Sequence, residues 1–434
     1  MTKIESKQFI SLWSYIYIIT ILLISLFSQD FNVMLFIIYT IMALPFIYSI
    51  EHYVVIALML STISYYFTGA YEGIYSIYTI LIMLIIIRIL LIQKGKMEFN
   101  KNSVILIIIL SIISCCSYAV SQFYYFNGLF RLLYLLLLSL ILGNTIRLKI
   151  DVMCTILPRI AGVMIIGYIF SVLINGSIID GRLTIANSVN TNTFGMSCAQ
   201  LCSILLTDSF LNKSHKKKNL FLCVAIIILA FLSGSRGAVL ACVLTVMIIV
   251  IMYEKKNGRL IGTMFRFAVF GTIILLGIYF LFVFFGLDVG RFNVSEVIAS
   301  GGSRRVLIYE SLIPYIIKNG YWKLGYGPGH ECSRLVIISL IGWDYAHSHN
   351  TFLEAFGELG IIGVITLVLI FKKALKNIYA TCKIYKNAYL FMAMIICLII
   401  NGFAESYFFD AILWLLVAIS RNKYRDIKFN LNEF

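Results

Sequence analysis

Three of the chain's five histidines, His330, His347 and His349, fall between residues 330 and 349. The last two belong to the segment HSHN, just before an apolar run that starts at residue 351. Imidazole titrates near neutral pH, so either ring could act as a general base on a hydroxyl. A metal site is a second reading, with His330, Glu331 or Asp344 as further donors, but the spacing matches no familiar zinc pattern. The third reading is structural: Ser348 or Asn350 could cap the helix that follows, and Asn350 suits that position. A cap does not exclude a catalytic neighbour.

Arginine supplies the second constellation. Arg236 sits in the turn SGSRG between two apolar runs, Arg182 in NGSIIDGRLTIANSVNTN, and Arg304 and Arg305 side by side in GSRRVLIYES. A guanidinium stays charged and offers a fixed fork of donors that suits phosphate oxygens. Gly234 and Gly237 flank Arg236 with little bulk, so a large ligand could approach the backbone there. The plainer readings are arginines snorkelling at helix ends or facing lipid headgroups. Glu354 and Glu358 stand four apart on the run after HSHN, and Glu405 lies at the turn of the last pair of apolar runs. Carboxylates near a membrane surface need partners. Glu354 could orient a histidine or pair with an arginine.

The elements that must position these residues are membrane helices. Of 434 residues, 61% are hydrophobic and 13% charged, and the mean hydropathy is +0.95. A soluble domain carries about 25% charged residues. Apolar runs of about 20 residues recur from end to end and predict an all-α polytopic membrane protein, a single membrane domain over residues 1–434. Fourteen spans are expected: 9–27, 31–50, 53–68, 74–92, 103–122, 128–143, 152–174, 194–211, 219–235, 236–253, 265–286, 351–371, 388–403 and 406–420. Glu51 and His52 mark the turn between the second and third. No cleavable signal peptide is evident after the first run. Nine of the ten cysteines lie in or beside apolar runs and Cys332 alone in the long loop, which argues against a disulfide framework.

Basic residues orient the spans. Lys94/Lys96/Lys101, Arg147/Lys149, Lys213/Lys216/Lys217/Lys218, Lys255/Lys256/Arg259, the run from Lys372 to Lys386, and the tail from Arg421 all fall on the side of the N-terminus. The positive-inside rule makes that side cytoplasmic, with both termini inside. Much of the net charge of +15 is therefore a topology signal, and nucleic acid is not needed to explain it. The outer face then holds the three unusual segments: residues 175–192, the SGSRG tip, and a long loop at 287–350. Within the loop, Ser303 to Lys318 predicts an amphipathic surface helix with Val306, Ile308 or Tyr309, Leu312, Ile316 and Ile317 on one side and a kink at Pro314. There is no Asp-x-Asp pair, no phosphate-binding glycine loop ending in Lys-Ser/Thr and no dinucleotide fingerprint. Outer-face chemistry, away from nucleotides, needs a donor that carries its own energy, and a lipid-linked diphosphate sugar fits.

The ordered segments Gly181-Arg182 with Ala186-Asn187, SGSRGA at 233–238, GGSRRVLIYES at 301–311, LGYGPG at 324–329 and HSHNTFLEAFGELGIIG at 347–363 resemble the O-antigen ligase/O-antigen polymerase superfamily of bacterial surface-polysaccharide assembly. The resemblance covers about 181–365; the N-terminal part is similar in hydrophobic character only. It implies a metal-independent transferase related to the C-type membrane glycosyltransferases, without a cofactor, in about 12–14 spans. The donor it implies is an undecaprenyl-diphosphate-linked oligosaccharide, used on the outer face of the bacterial inner membrane. Arg236 and one of Arg304 and Arg305 then correspond to diphosphate-binding arginines, Arg182 to a further contact, and His349 or His347 to the base, supported by Asn350 and Glu354. An O-antigen or capsule polymerase in lipopolysaccharide biosynthesis is favoured, with a chain-length regulator protein as a candidate partner besides membrane lipids. A ligase acting on lipid A–core and a protein O-glycosyltransferase are the alternatives within the superfamily. A lipid-linked oligosaccharide flippase is the alternative outside it; a transporter should show related halves and charges at the bilayer midplane, and neither is clear here.

Overall fold

The apolar runs fold into helices. The computed structural model describes residues 3–27, 33–62, 75–94, 101–179, 182–185, 191–257, 261–262, 280, 305–342 and 348–422. Among them are fifteen α-helices. The first ten are α1 (Lys3–Phe27), α2 (Val33–Ala43), α3 (Ile50–Ser61), α4 (Ile77–Leu91), α5 (Lys101–Val120), α6 (Phe126–Asn144), α7 (Ile150–Asn175), α8 (Thr191–Leu211), α9 (Lys216–Leu232) and α10 (Arg236–Asn257). The remainder are α11 (Arg305–Lys318), α12 (His330–Ile341), α13 (Thr351–Ile384), α14 (Tyr389–Asn401) and α15 (Ala411–Arg421). The chain is an all-α polytopic membrane protein. Thirteen of the expected spans correspond to α1–α10 and α13–α15, and the eleventh, 265–286, lies outside the described residues. Six described helices are long and apolar enough to cross a membrane by length and composition. Large apolar side chains on α1, α5 and α10, such as Leu12, Ile112 and Leu240, point outward, as lipid contact allows.

Helix α8 is the axis of the bundle: its most apolar window is 89% buried, and it packs against α7, α9, α10 and α14. Small residues make that possible. Ser197, Ser203 and Ser209 each return their hydroxyl to the carbonyl four residues earlier, so these three hydroxyls are satisfied within the helix where no water reaches. Helices α6, α13 and α15 close the other side.

Four features differ from the sequence-based expectations. The break between the second and third spans falls at Tyr48–Ser49 rather than at Glu51–His52. Ser49 is non-helical and its hydroxyl reaches Glu51 Oε2 (3.2 Å) and His52 Nδ1 (2.9 Å), which draws both into the first turn of α3. The amphipathic helix starts at Arg305 in the described residues and buries Ile308, Leu312 and Ile316, one residue per turn; Val306 and Ile317 are exposed. It continues through Pro314. The long loop holds a second helix, α12, that was not expected. Cys332, on α12, is fully buried. Finally, two short strands, β1 (Ser177–Ile179) and β2 (Arg182–Thr184), pair antiparallel, with Ile179 opposite Arg182.

Helices α11 and α12 enclose a small apolar core of their own, built on Ile308, Leu312, Ile316, Tyr326, Val336 and Leu353. The LGYGPG segment anchors it to the bundle. Ser121 Oγ donates to the Tyr326 carbonyl (2.6 Å), Tyr326 N–H donates to the Gly357 carbonyl (2.8 Å), and Ile361 N–H donates to the Trp322 carbonyl (2.8 Å). That last bond is free because α13 is kinked at Gly360, whose φ of 70° lies in the left-handed region. The kink leaves residues 351–359 as a two-and-a-half-turn half-helix whose start faces the loop.

Candidate active site

The half-helix begins with a cap. Asn350 Oδ1 accepts from the N–H of Phe352 (2.9 Å) and of Leu353 (3.0 Å). To reach that extended cap the chain turns sharply at His349, which takes a left-handed φ of 53°. Such a conformation is uncommon for a side chain other than glycine and persists only where its surroundings fix it. Here Ser348 Oγ donates to the Asn350 carbonyl (3.0 Å) and Tyr309 Oη, on α11, donates to the His349 carbonyl (3.4 Å).

The turn between α14 and α15 is stitched to the same place. Thr351 N–H donates to the Gly402 carbonyl (2.8 Å), Thr351 Oγ1 donates to the Glu405 carbonyl (3.1 Å), and Tyr407 N–H donates to Thr351 Oγ1 (3.0 Å). These bonds bring Glu405 Oε1 to 3.1 Å from His349 Nδ1, with both residues buried. A carboxylate accepts only, so Nδ1–H donates to it and Nε2 is left as the basic nitrogen.

Arg236 opens α10 and is half-buried. Its neighbour Gly237 lies against the same turn: a methyl group placed there would stand 3.1 Å from Ala404 Cβ. Arg236 and the His349–Glu405 pair are therefore on touching elements. The SGSRG turn that presents Arg236 is held by Arg182, whose Nε donates to the Ser233 carbonyl (2.8 Å) and Nη2 to Asn192 Oδ1 (2.6 Å). Gly234, at φ 66°, gives that guanidinium room, since a Cβ would stand 3.0 Å from Arg182 Nε. Arg305 is half-buried at the start of α11. Burial raises the pKa of Tyr309, a shift that its bond to Asn350 and the Arg305 charge oppose and the Glu405 charge reinforces. The Arg305 and Glu405 charges thus both act on the tyrosine whose hydroxyl donates to the His349 carbonyl. Arg304 and His347 lie outside the described residues.

Glu354 pairs with His330, whereas the partner of His349 is Glu405. Glu354 is fully buried and its Oε1 accepts from His330 Nδ1 at 2.7 Å. The His330 ring lies tilted against Phe409 with centroids 4.9 Å apart, and Arg131 Nε and Nη2 donate to the Phe409 carbonyl at 3.0 and 2.8 Å. Glu358 accepts from Ser333 Oγ (2.8 Å) and Gly329 N–H (3.0 Å). Two separate histidine–carboxylate pairs result, and among the described residues no group of three His, Cys, Asp or Glu could hold a metal ion. Sequence reasoning had named Glu405 without its partner and had not singled out Arg131. The signal for Glu405 was a carboxylate in an outer turn, where an unpaired charge is costly.

Comparison with known families supplies the context. Residues 221–368 match the family model described as O-antigen ligase. The match agrees with the resemblance to the O-antigen ligase/polymerase superfamily, and it supports an O-antigen ligase/polymerase-type function and a glycosyltransferase-like enzyme in the membrane. No curated protein matched the chain. The matched third of the chain contains Arg236, Arg305, the LGYGPG anchor, His349 and the half-helix; Arg182 and Glu405 lie outside it. Chemically, the site offers a histidine with a buried carboxylate behind it and arginines on neighbouring elements. That suits transfer of a glycan from an anionic leaving group to a hydroxyl.

Proposed function

We propose that this chain is a polysaccharide polymerase that joins undecaprenyl-diphosphate-linked oligosaccharide repeats, on the outer face of the bacterial inner membrane, into O-antigen or capsular polysaccharide. The observation that carries the reading is the His349–Glu405 pair, buried at a left-handed corner beside the helix that Arg236 opens. His349 Nε2 takes the proton of the acceptor hydroxyl while that oxygen attacks the anomeric carbon. The bond to the lipid diphosphate breaks in the same displacement. Glu405 holds the ring tautomer and stabilises the imidazolium that forms, as a carboxylate behind a catalytic histidine does. Arg236 and an arginine of the Arg304/Arg305 pair stabilise charge on the departing diphosphate. Arg182 acts by holding the turn that presents Arg236. Asn350 positions His349 by capping the half-helix, and Glu354 supports the site through His330. The chemistry needs no metal and no cofactor. The whole chain works as one membrane domain, with 287–350 as the catalytic loop facing the periplasm and both termini in the cytoplasm.

The second reading is the ligase, favoured by the description of the matching family itself: the same displacement with lipid A–core as acceptor. One experiment separates the two. Protein in lipid nanodiscs is given undecaprenyl-diphosphate repeat units with and without lipid A–core, and products are resolved on a gel. A ladder on the carrier lipid alone, lost in His349→Ala, supports the polymerase. Glycan that appears only with lipid A–core makes the chain a ligase. No transfer to either acceptor by folded protein would overturn both and return the flippase reading.

A further inference from the structure

At the end of the bundle that carries the basic clusters, a cleft of about 510 Å³ opens between α1, α7 and α9. Its size lies in the range of small-molecule sites, roughly 300–1,000 Å³. Beside the polar groups Asp208, His215 and Asn219, its lining carries two cations and an apolar wall in a definite order. Arg159 on α7 is followed along the same helix by Gly162 and Ile166, and Lys218 on α9 by Leu222. Both helices run away from the basic end, so on each the cation precedes the apolar wall. At 1.5 Å of rise per residue, the apolar wall lies roughly 5–10 Å deeper than the cations.

Arg159 lies within a helix long and apolar enough to span, yet its side chain is exposed. Among the described residues neither Arg159 nor Lys218 has a carboxylate in ion-pair contact. The acidic group in the cleft is already engaged: Asp208 accepts from Asn212 (2.7 Å), Asn219 (2.7 Å) and His215 (3.3 Å). Those bonds fix the turn from α8 to α9 and so fix where Lys218 stands. An ionisable residue exposed within a membrane span calls for an anionic partner. Basic pockets between membrane helices suit phospholipid headgroups.

We propose that this cleft binds one anionic glycerophospholipid, its phosphate held by Arg159 and Lys218 and an acyl chain lying along Gly162, Ile166 and Leu222. The order of charge and wall matches the order of phosphate and acyl chain in such a lipid, which a free anion would not use. The site is independent of the transferase reading.

The test uses the full chain in mild detergent, titrated with dioleoyl phosphatidylglycerol and read by native mass spectrometry. One lipid bound per chain is expected. Arg159→Gln with Lys218→Gln, which removes both charges but keeps polar side chains at exposed positions, should weaken it about tenfold to thirtyfold, the loss of two cations near a lipid surface. Gly162→Leu should weaken it as well with both cations in place. A methyl at Gly162 would stand 3.4 Å from Leu222 Cδ1, an ordinary contact, so the helix is kept and the added branch fills the cleft. Lys213→Gln with Lys217→Gln, close in sequence to Lys218 but not lining the cleft, should leave binding within about twofold. Equal losses from the two lysine- and arginine-directed pairs would overturn the site in favour of general charge attraction. Equal retention of dioleoyl phosphatidylcholine would overturn the role of the cations. Displacement by millimolar inorganic phosphate, or preferential capture of an isoprenyl phosphate, would overturn the assignment of the occupant.

Discussion

Glu405 Oε1 lies 3.1 Å from His349 Nδ1, although 56 residues separate the two in the chain. The pairing depends on three hydrogen bonds through Thr351 and on a left-handed corner at His349 itself. A buried carboxylate behind an imidazole leaves the far nitrogen as the base. His349→Ala should therefore lower glycan transfer about 10²- to 10⁴-fold with protein yield unchanged. Glu405→Gln keeps an acceptor for Nδ1–H and should lose less than Glu405→Ala. Initial rates in nanodiscs at saturating donor check both, and full activity in His349→Ala would remove the histidine from the mechanism.

Arg236 and Arg182 should fail in different ways. Arg236→Ala should cost roughly 10²-fold or more in turnover while the fold is kept, and Arg236→Lys should recover only part, because a point charge lacks the guanidinium fork. Arg182 is tied to Ser233 and Asn192, so Arg182→Ala should lower apparent stability by about 2 kcal/mol, from the loss of charge-assisted hydrogen bonds. Activity should fall because the turn that presents Arg236 loosens. Thermal melts in detergent alongside transfer assays separate the two. An Arg182→Ala protein with unchanged melting and lost activity would place Arg182 on substrate instead.

Much of the architecture was readable from composition because a lipid solvent leaves few options: each apolar run long enough to span becomes a helix that satisfies its own backbone. The Asn350 cap was readable too, since it depends on residues two and three positions away. Long-range pairings were not. Nothing local tells Glu405 that His349 is its partner, or Glu354 that His330 is. The face of α11 was misjudged because Val306 and Ile317 are as apolar as the residues that are buried, and only the neighbouring α12 decides which stripe turns inward. The kink in α13 was hidden for a similar reason. A glycine in an apolar run permits a left-handed residue, but the requirement comes from the Trp322–Lys323 backbone packed against Gly360.

His330 and Glu354 form a close pair in which the carboxylate is fully buried. Removing one partner leaves an uncompensated charge and costs about 3–5 kcal/mol, far more than the pair itself contributes. His330→Ala should therefore be strongly destabilised, and adding Glu354→Gln should restore much of the loss by removing the stranded charge. Melting of the two single variants and the double variant tests this. Additive losses would show that the pair is not coupled.

Cys332 belongs to the outer loop in sequence but not to its surface. Its thiol is fully buried on α12, and burial, reinforced by the Glu358 carboxylate, pushes its pKa up to about 12. The reactive form is the thiolate, so at pH 8 only roughly one thiol in 10⁴ is ionised. Raising the pH towards 12 increases that fraction, and lowering it reduces the fraction further. A membrane-impermeant maleimide should leave Cys332 unmodified in native protein at pH 8 and modify it within minutes once α11 and α12 are unfolded by denaturant. Peptide mapping by mass spectrometry gives the readout. Rapid labelling of native protein would mean that α12 opens readily, and the Tyr309 contact that holds His349 would then be too loose to position a base.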